Sequence, residues 1–334
     1  MKILKPKALR RGDTLGIVAC STPIQVSNES TIERCYSYFR EKGFKIAEAP
    51  NCRKTFGHTA GTIKERVAAL HQFFRDNKID GILSYWGGFQ SHQLLEYIDY
   101  DLIRKNPKPF IGFSDTTALN IALYSQAGLI NFSGPAGITF GKPTVPSFTW
   151  QHFEDVLMNG NAAHSFQQSK EYSDNPWWQE ESKRMLFKPN LGWKVYRNGF
   201  ATGKLIGGNL GTLLLLAGTK YWPKLKGSIL FVEDDEAESP KTMDRMFIQL
   251  RHMGVYDQIS GMIVGRFHSA VQFKDDDSLE IILDDALKGY RFPIITNVDF
   301  GHTDPLLTIP VGARCTMDTK KPRITLNERA VNLK

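Results

Sequence analysis

Apolar and polar positions alternate along the first 140 residues in a way that predicts strands and helices in turn. Short β-branched apolar runs at 14–19, 44–50 and 79–86 are typical of buried strands. The segments between them, 30–43 and 62–77, carry apolar residues at helical spacing. This alternation predicts an α/β fold built on a doubly wound parallel sheet with helices on both faces.

The pattern continues with a predicted helix over 91–98 and a buried strand at 109–111, and a second alternation follows in the C-terminal half. In that half we predict strands at 227–236, 259–267 and 292–301, a helix at 239–254, and a closing hairpin from 311–319 and 323–328. The C-terminal half is therefore predicted to be a second α/β unit with a mixed sheet.

The stretch between these units is more polar. We predict an N-terminal domain over 1–165, a linker and loop over 166–200, and a smaller C-terminal α/β domain over 201–334. The loop contains two adjacent tryptophans, Trp177 and Trp178. They either anchor the loop to the core or form a platform for a planar ligand.

Composition narrows the function classes. Hydrophobic residues make up 41% and charged residues 23% of the 334 residues, which is typical of a globular protein. The net charge of +7 is scattered without a Lys/Arg cluster, which argues against nucleic-acid binding. The four cysteines show no CxxC spacing, so no structural zinc site is expected. Without a signal-peptide core or an apolar run of membrane-spanning length, we expect a cytoplasmic protein with reduced cysteines.

The turn after the predicted strand at 109–111 carries candidate chemistry. The segment Gly112-Phe113-Ser114-Asp115 is too short for an ordinary loop, so the Ser114 hydroxyl would project above the sheet edge at a helix N-terminus. This is the arrangement of a nucleophile elbow, although Thr116 stands where the usual elbow has glycine. Alternatively, Ser114 or Asp115 caps the helix, as Ser and Asp commonly do.

Three turns with unusual residues follow predicted strands of the first sheet: Cys-Ser-Thr at 20–22, Trp-Gly-Gly at 86–88 and Ser-Asp at 114–115. The carboxyl ends of parallel strands share one edge of the sheet, where ligands bind. We therefore expect the three turns to meet at a site. Gly87 and Gly88 either bring a backbone N–H close to an oxyanion or simply end a strand.

A serine nucleophile needs a general base, and the base needs an orienting acid. Among eight histidines, His302 stands out because it follows a predicted strand directly and Gly301 permits a sharp turn there. The alternative is a loop histidine that caps a turn. His268 and His58 are weaker candidates for the base.

Glu233 is the candidate acid because it ends an apolar strand, so its carboxylate would face the strand's end. The acidic run 233–236 could instead be a solvated turn or a metal site. The chain has no GxxxxGK[ST] loop, which a magnesium site for phosphate groups would usually include.

Several motifs together resemble the LD-carboxypeptidase family of serine peptidases, in family order and over nearly the whole chain. They are KPKALRRGDTLGIVACSTP, the glycine turn at 87–88, DYDLIRKNPKPFIGFSDTTALN, GGNLGTLLLLAGT, ILFVEDDEAESPKTMDRMFIQLRHMGV and GHTDPLLTIPVG.

The resemblance implies a Ser–Glu–His triad. Ser114 in GFSD would be the nucleophile, Glu233 in FVED the residue that orients the imidazole, and His302 in GHTDP the general base. The backbone N–H groups of Gly88 and Asp115 would form the oxyanion hole. The resemblance also implies a Rossmann-like N-terminal domain, a homodimer, and no need for a metal or cofactor.

Two branches of this family imply different substrates. One trims the terminal D-alanine from muropeptide tetrapeptides in peptidoglycan recycling; the microcin C self-immunity branch cleaves the amide bond of a peptidyl- or aminoacyl-nucleotide. The long SDNPWWQEE loop resembles the second branch, in which a loop tryptophan stacks on the nucleobase, and WGGFQ lacks the Arg that usually precedes the glycines in the first. We therefore expect an immunity-like hydrolase in which Gly87 and either Trp177 or Trp178 contact the substrate, with the muropeptide carboxypeptidase as the alternative.

Two hypotheses come from other classes of protein. A non-catalytic small-ligand-binding protein predicts that Glu233 and His302 lie away from Ser114. A nucleotide-dependent phosphotransferase predicts a metal ion at the acidic run.

Overall fold

The computed structural model describes residues 2–160, 164–175 and 186–333. The N-terminal half alternates strand and helix, as predicted. Its elements are β1 (Thr14–Val18), α1 (Glu29–Glu41), β2 (Lys45–Glu48), α2 (Ile63–Arg75), β3 (Gly81–Ser84), α3 (Tyr100–Lys105), β4 (Phe110–Ile111), α4 (Thr117–Ala122), β5 (Asn131–Ser133) and α5 (Ser147–Glu154).

The remaining elements form a short hairpin and a second alternating unit. They are β6 (Glu171–Tyr172), β7 (Lys188–Pro189), β8 (Lys194–Arg197), β9 (Phe200–Asn209), α6 (Leu210–Leu214), β10 (Ile229–Glu233), α7 (Pro240–His252), β11 (Gly261–Gly265), α8 (Leu279–Ala286), β12 (Ile294–Val298), β13 (Ile309–Val311), β14 (Arg314–Asp318) and β15 (Arg323–Leu326). None of the helices in the described ranges is long and apolar enough to cross a membrane.

The first sheet has the strand order β13-β5-β4-β3-β1-β2. Strands β1 to β5 pair in parallel, while β13 pairs antiparallel with β5 at the edge. The doubly wound, Rossmann-like sheet predicted for the N-terminal half is confirmed. Its order reverses at β1, which lies between β2 and β3, and ligands on such sheets bind beyond the carboxyl ends at this point.

The second sheet has the order β15-β14-β9-β10-β11-β12-β8. Strands β9 to β12 are parallel, and β8, β14 and β15 are antiparallel additions, so the predicted mixed sheet and closing hairpin are both present. Strand β8 lies inside the predicted linker, and β13 returns from the C-terminal half to the first sheet. The first sheet therefore includes a strand from the predicted C-terminal domain, and the second sheet includes one from the predicted linker. The domain boundaries remain a prediction.

The central strands are buried along their whole length, as β3, β10 and β11 show. Helices cover both faces of such parallel strands, so the strand residues are continuously apolar rather than alternately apolar and polar. The helices between them begin at strong caps; α2, for example, starts with a capping box in which Thr62 and Glu65 each bond the other's backbone N–H. Caps and buried runs together explain why most elements could be predicted.

The helix predicted over 91–98 is wrong. The structure has a single 3-10 turn at Ser91–Leu94, and the α-helix α3 begins at Tyr100. The Asp99 side chain accepts hydrogen bonds from two backbone N–H groups of α3 and so starts that helix. The backbone N–H of Ser91 instead bonds the Asp115 carboxylate, 2.9 Å away, which ties the turn to the site.

The two sheets meet beside the turn that carries Ser114. The Thr117 hydroxyl at the start of α4 accepts a hydrogen bond from the Asn209 backbone N–H at the end of β9, at 3.0 Å. Gly208 makes this approach possible, because a Cβ there would lie 2.4 Å from the Thr117 hydroxyl oxygen. The carboxyl end of β9 is thereby held against the first turn of α4.

Candidate active site

The three turns singled out in the sequence come together at one edge of the first sheet. They follow β1, β3 and β4, which are neighbours in the strand order. A Cβ placed on Gly87 would lie 3.2 Å from the Ser114 hydroxyl oxygen and 3.5 Å from the backbone N of Asp115. The glycine turn therefore lies directly beside the serine and beside the N–H that follows it.

Ser114 has the strained backbone of a nucleophile elbow. Its φ of 60° is in the left-handed region, which non-glycine residues seldom adopt. The position in this elbow that needs glycine is Gly112, because a Cβ there would lie 2.9 Å from the Thr116 methyl carbon. With glycine at 112, the elbow has room for the Thr116 side chain. The helix-cap alternative is wrong, because no side chain caps this turn and the Asp115 carboxylate is bonded to Ser91 instead.

A chain of hydrogen bonds joins the serine to both predicted partners. The Ser114 hydroxyl oxygen lies 3.1 Å from His302 Nε2, and His302 Nδ1 lies 2.7 Å from Glu233 Oε2. A carboxylate at Nδ1 holds the proton on that nitrogen, which leaves Nε2 to accept the serine proton. The non-catalytic hypothesis predicted that these side chains lie apart, and the structure contradicts that prediction.

Glu233 and His302 reach each other over an intervening strand. Glu233 ends β10 and His302 follows β12, while β11 lies between them and ends at Gly265. A Cβ on Gly265 would lie 2.9 Å from the Glu233 Cβ and 2.7 Å from the Phe300 carbonyl oxygen. At Gly301, with a φ of 104°, a Cβ would lie 2.8 Å from Glu233 Oε2. Both glycines are therefore required for the imidazole to meet the carboxylate.

The acidic surroundings of His302 change its titration. Burial by itself lowers the pKa of His302, but the Glu233 carboxylate and its hydrogen bond outweigh that effect, and Asp235 and Glu236 act in the same direction. The net result is a pKa above the ordinary histidine value of about 6.5. The neutral imidazole, which is the form that accepts a proton, is therefore favoured by alkaline pH.

The Asp234 carboxylate stabilises the adjacent chain segment at the end of β9 rather than orienting the His302 imidazole. Its carboxylate accepts hydrogen bonds from the Asn209 side chain at 2.7 Å and from the Gly211 backbone N–H at 2.9 Å. Burial and the adjacent Glu233 charge raise the pKa of Asp234 to about 7. Carboxylate oxygens of Asp234, Asp235 and Glu238 lie within 4.8 Å of one another, but those of Asp234 are already engaged in these bonds.

Ser114 and His302 open into a cavity of about 230 Å³. Its aromatic lining includes Phe113, whose ring centroid lies 5.1 Å from that of His302. The other aromatic and charged residues of the lining are Trp86, Phe89, Lys142, Asp235, Glu236 and Asp304. Lys142 and Asp304 form a buried ion pair in the wall.

Sequence reasoning identified part of this lining. Gly87 and Gly88 lie in it as predicted, and Asp304 belongs to the GHTDP motif. Lys142 was missed because it lies in a polar stretch without periodicity. Trp177 and Trp178 fall outside the described residues.

The two weaker histidine candidates have other surroundings. His268 Nδ1 accepts a hydrogen bond from the Ala270 backbone N–H at 3.0 Å and so caps a turn. His58 lines a separate groove that shares Phe89 with the cavity of Ser114. Among the histidines of the described residues, His302 is the one that the structure hydrogen-bonds to the Ser114 hydroxyl.

Replacing Gly87 with alanine is expected to lower kcat/KM by about 100-fold or more, because the methyl group would enter the space beside the Ser114 hydroxyl and the Asp115 N–H. The backbone of Gly87, unlike that of Gly88 with its φ of 127°, does not require glycine, so the variant should fold. Steady-state kinetics and thermal unfolding measure the two effects. A variant with unchanged melting temperature and wild-type kcat/KM would contradict the placement of this turn in the site.

Comparison with known proteins agrees with this geometry. The models of the LD-carboxypeptidase N-terminal and C-terminal domains match residues 15–134 and 202–317. The putative carboxypeptidase YocD of Bacillus subtilis (strain 168) is 34% identical over 93% of this chain and 94% of its own length. The microcin C7 self-immunity protein MccF of Escherichia coli is 33% identical over 95% and 94%, and a probable murein peptide carboxypeptidase of Bacillus subtilis (strain 168) is 31% identical over 94% and 92%.

Solved structures of such proteins superpose on nearly the whole molecule. An MccF-like protein from Bacillus anthracis has a TM-score of 0.93 and 33% identity, covering 98% of this chain and all of its own. MccF in complex with glutamyl sulfamoyl guanosine has a TM-score of 0.92 and 31% identity, with the same coverage. Both domain models and relatives of nearly full length, more than 30% identical, therefore place this chain in the LD-carboxypeptidase family of serine peptidases.

Proposed function

We propose that the protein is a serine hydrolase that cleaves the amide bond of a peptidyl- or aminoacyl-nucleotide through a Ser114–His302–Glu233 triad. The observation that carries this proposal is the hydrogen-bond chain from the Ser114 hydroxyl through His302 to Glu233, at 3.1 and 2.7 Å, at the wall of a cavity. This is the arrangement that activates a serine hydroxyl, because the base lies within reach of its proton and the acid orients the base.

The first half of the reaction forms an acyl-enzyme. The Ser114 oxygen attacks the carbonyl carbon of the substrate while His302 Nε2 takes its proton. The Glu233 carboxylate stabilises the imidazolium that results. The C–N bond then breaks, the leaving nitrogen takes the proton from Nε2, and the acyl group remains on Ser114.

Two backbone N–H groups would stabilise the negative oxygen of the tetrahedral intermediate. These are the groups of Gly88 and Asp115, on the glycine turn and on the residue that follows the nucleophile. In the second half of the reaction, a water molecule gives its proton to His302 Nε2 and attacks the acyl carbon. Collapse of that second intermediate releases the acid and returns the proton to Ser114.

The nucleotide substrate is supported by the relatives and by the cavity. The structure of MccF with glutamyl sulfamoyl guanosine and another of MccF with aspartyl sulfamoyl adenosine, TM-score 0.91, hold aminoacyl-nucleoside analogues. In this chain Trp86 precedes the two glycines, and the aromatic rings of Trp86, Phe89 and Phe113 line the cavity. Aromatic faces are suited to planar groups such as nucleobases.

A muropeptide LD-carboxypeptidase is the second candidate. It is supported by the 31% identity to a probable murein peptide carboxypeptidase and uses the same triad on a terminal D-alanine. The homodimer that the family resemblance implies remains a prediction under either function, as does a cytoplasmic location.

A comparison of two substrates distinguishes these functions. We expect aspartyl-sulfamoyl-adenosine to be hydrolysed with a kcat/KM at least about 100-fold above that of a muramoyl tetrapeptide, a difference of about 2.7 kcal/mol in transition-state stabilisation. Chromatographic detection of the released aspartate and D-alanine gives both rates. The reverse order would establish the muropeptide function instead.

Variants and a chelator complete this experiment. If a loop tryptophan stacks on the base, Trp177→Ala or Trp178→Ala should slow hydrolysis of the nucleotide substrate and leave the tetrapeptide rate unchanged.

Hydrolysis that survives EDTA would exclude the phosphotransferase hypothesis, which requires a metal at the acidic run; loss of activity restored by Mg²⁺ would support it.

A further inference from the structure

The turn after β1 contains a buried serine that the proposed triad does not use. Ser21 is 1% exposed, and its hydroxyl oxygen accepts hydrogen bonds from the backbone N–H groups of Phe89 at 3.1 Å and Gln90 at 2.9 Å. The same hydroxyl donates to the Gln90 side-chain oxygen at 3.3 Å. One side chain from the β1 turn therefore satisfies two successive donors of the glycine turn.

A buried arginine holds the same two segments together from another direction. Arg66 of α2 is 2% exposed and donates from Nη1 to the Cys20 carbonyl oxygen at 2.9 Å and to the Gln90 carbonyl oxygen at 3.3 Å. Its Nη2 donates to the Gln93 side-chain oxygen at 2.8 Å. The guanidinium thus bridges the residue before Ser21 to the end of the glycine turn, and its rigid fork fixes their separation.

Packing leaves the glycine turn little freedom to shift toward Ser21. A Cβ on Gly88 would lie 2.4 Å from the hydroxyl oxygens of both Ser21 and Thr22, so the backbone of Gly88 already rests against these side chains. On its other side the turn continues into Ser91, whose backbone N–H bonds the Asp115 carboxylate at 2.9 Å and whose hydroxyl donates to the Asp115 carbonyl oxygen. The two proposed oxyanion donors are therefore linked through one continuous network.

We propose that Ser21 is a positioning residue for the oxyanion hole: its hydroxyl, together with Arg66, holds the 87–90 turn so that the Gly88 N–H faces the oxygen of the tetrahedral intermediate. This inference rests on the proposed function. Preorganised donors stabilise a transition state more than a ground state, because they need not reorient as charge develops. Loss of the Ser21 hydroxyl therefore lowers kcat and leaves substrate affinity nearly intact.

Ser21→Ala tests this role against a matched serine. Ser228 is similarly buried at 3% exposed, and its hydroxyl donates a hydrogen bond to the Leu225 carbonyl oxygen at 2.7 Å, in the other half of the molecule. We expect Ser21→Ala to lower kcat on aspartyl-sulfamoyl-adenosine by about 10- to 100-fold with KM within about threefold of wild type, because a displaced oxyanion donor is lost mainly in the transition state. Ser228→Ala should keep the wild-type kcat while losing a similar amount of thermal stability.

A second readout separates this inference from the choice of substrate. A fluorophosphonate reacts with an activated serine and places its phosphoryl oxygen in the oxyanion hole, whatever the natural substrate. Phosphonylation of Ser114, followed by intact mass, should be slower in Ser21→Ala by a similar factor and unchanged in Ser228→Ala. A wild-type protein that is neither phosphonylated nor active would contradict the proposed function; phosphonylation and turnover at wild-type rates in Ser21→Ala would overturn the positioning role alone. Should Ser21→Ala fail to fold, Ser91→Ala carries the same prediction, since it removes the hydroxyl bond to the Asp115 carbonyl oxygen, one of the two hydrogen bonds between the turn and Asp115.

Discussion

Replacing Ser114 with alanine is expected to lower kcat by about 10⁴-fold or more, because removal of a triad nucleophile abolishes the covalent route and leaves only the residual effect of binding and oxyanion stabilisation. Alanine retains the Cβ of serine, so the strained φ of 60° gains no new contact. The side chain of Ser114 bonds to His302 and not to the helix that follows, so the fold does not depend on it.

The measurement is hydrolysis of aspartyl-sulfamoyl-adenosine by wild type, Ser114→Ala and the control Ser228→Ala at equal protein concentration. Thermal unfolding of the three proteins shows whether the fold is retained. The substrate should still bind to Ser114→Ala with an affinity close to that of wild type. Turnover by Ser114→Ala at a rate near that of Ser228→Ala would refute the assignment of the nucleophile.

The Glu233→Gln variant is expected to lower kcat/KM by about 1,000-fold or more, since the amide neither fixes the imidazole tautomer nor stabilises the imidazolium. It should also move the pH profile. In the wild type, Glu233 raises the pKa of His302, so the neutral base is gained only as pH rises through that raised value. Without the carboxylate charge the pKa of His302 falls, and the acid limb of the variant should lie at lower pH.

The pH dependence of kcat/KM reports the ionisations of the free enzyme, so it is the quantity to compare between the two proteins. A large loss of rate combined with an acid limb shifted to lower pH is the result expected from the geometry. An acid limb that stays in place would show that a group other than His302 governs the profile. His302→Ala should abolish that limb together with most of the activity.

Most of the fold could be predicted because its signals are local. Buried parallel strands are continuously apolar, as β10 and β11 illustrate, and caps such as Thr62 mark where helices begin. The predicted helix at 91–98 failed for a reason outside its own residues. Ser91 bonds to Asp115, 24 positions along the chain, and no local propensity contains that contact.

The site, like the fold, combines residues with a local sequence signal and contacts between segments that are distant in the sequence. Ser114, Glu233 and His302 each stand at a strand end with a visible signal, namely a tight turn, a broken apolar run or a flanking glycine. Their meeting required Gly265, which clears the path across β11 and lies in an ordinary strand when only the sequence is considered. The linkage of Ser21 and Arg66 to the glycine turn is equally a product of tertiary packing.

The most direct test of the central claim is identification of the acyl-enzyme. Wild-type protein is mixed with aspartyl-sulfamoyl-adenosine, quenched in acid during the first turnover, digested and examined by mass spectrometry. We predict an aspartyl group on the peptide that contains Ser114, formed before aspartate appears and lacking in Ser114→Ala. An aspartyl group on another residue, with hydrolysis undiminished in Ser114→Ala, would contradict the account.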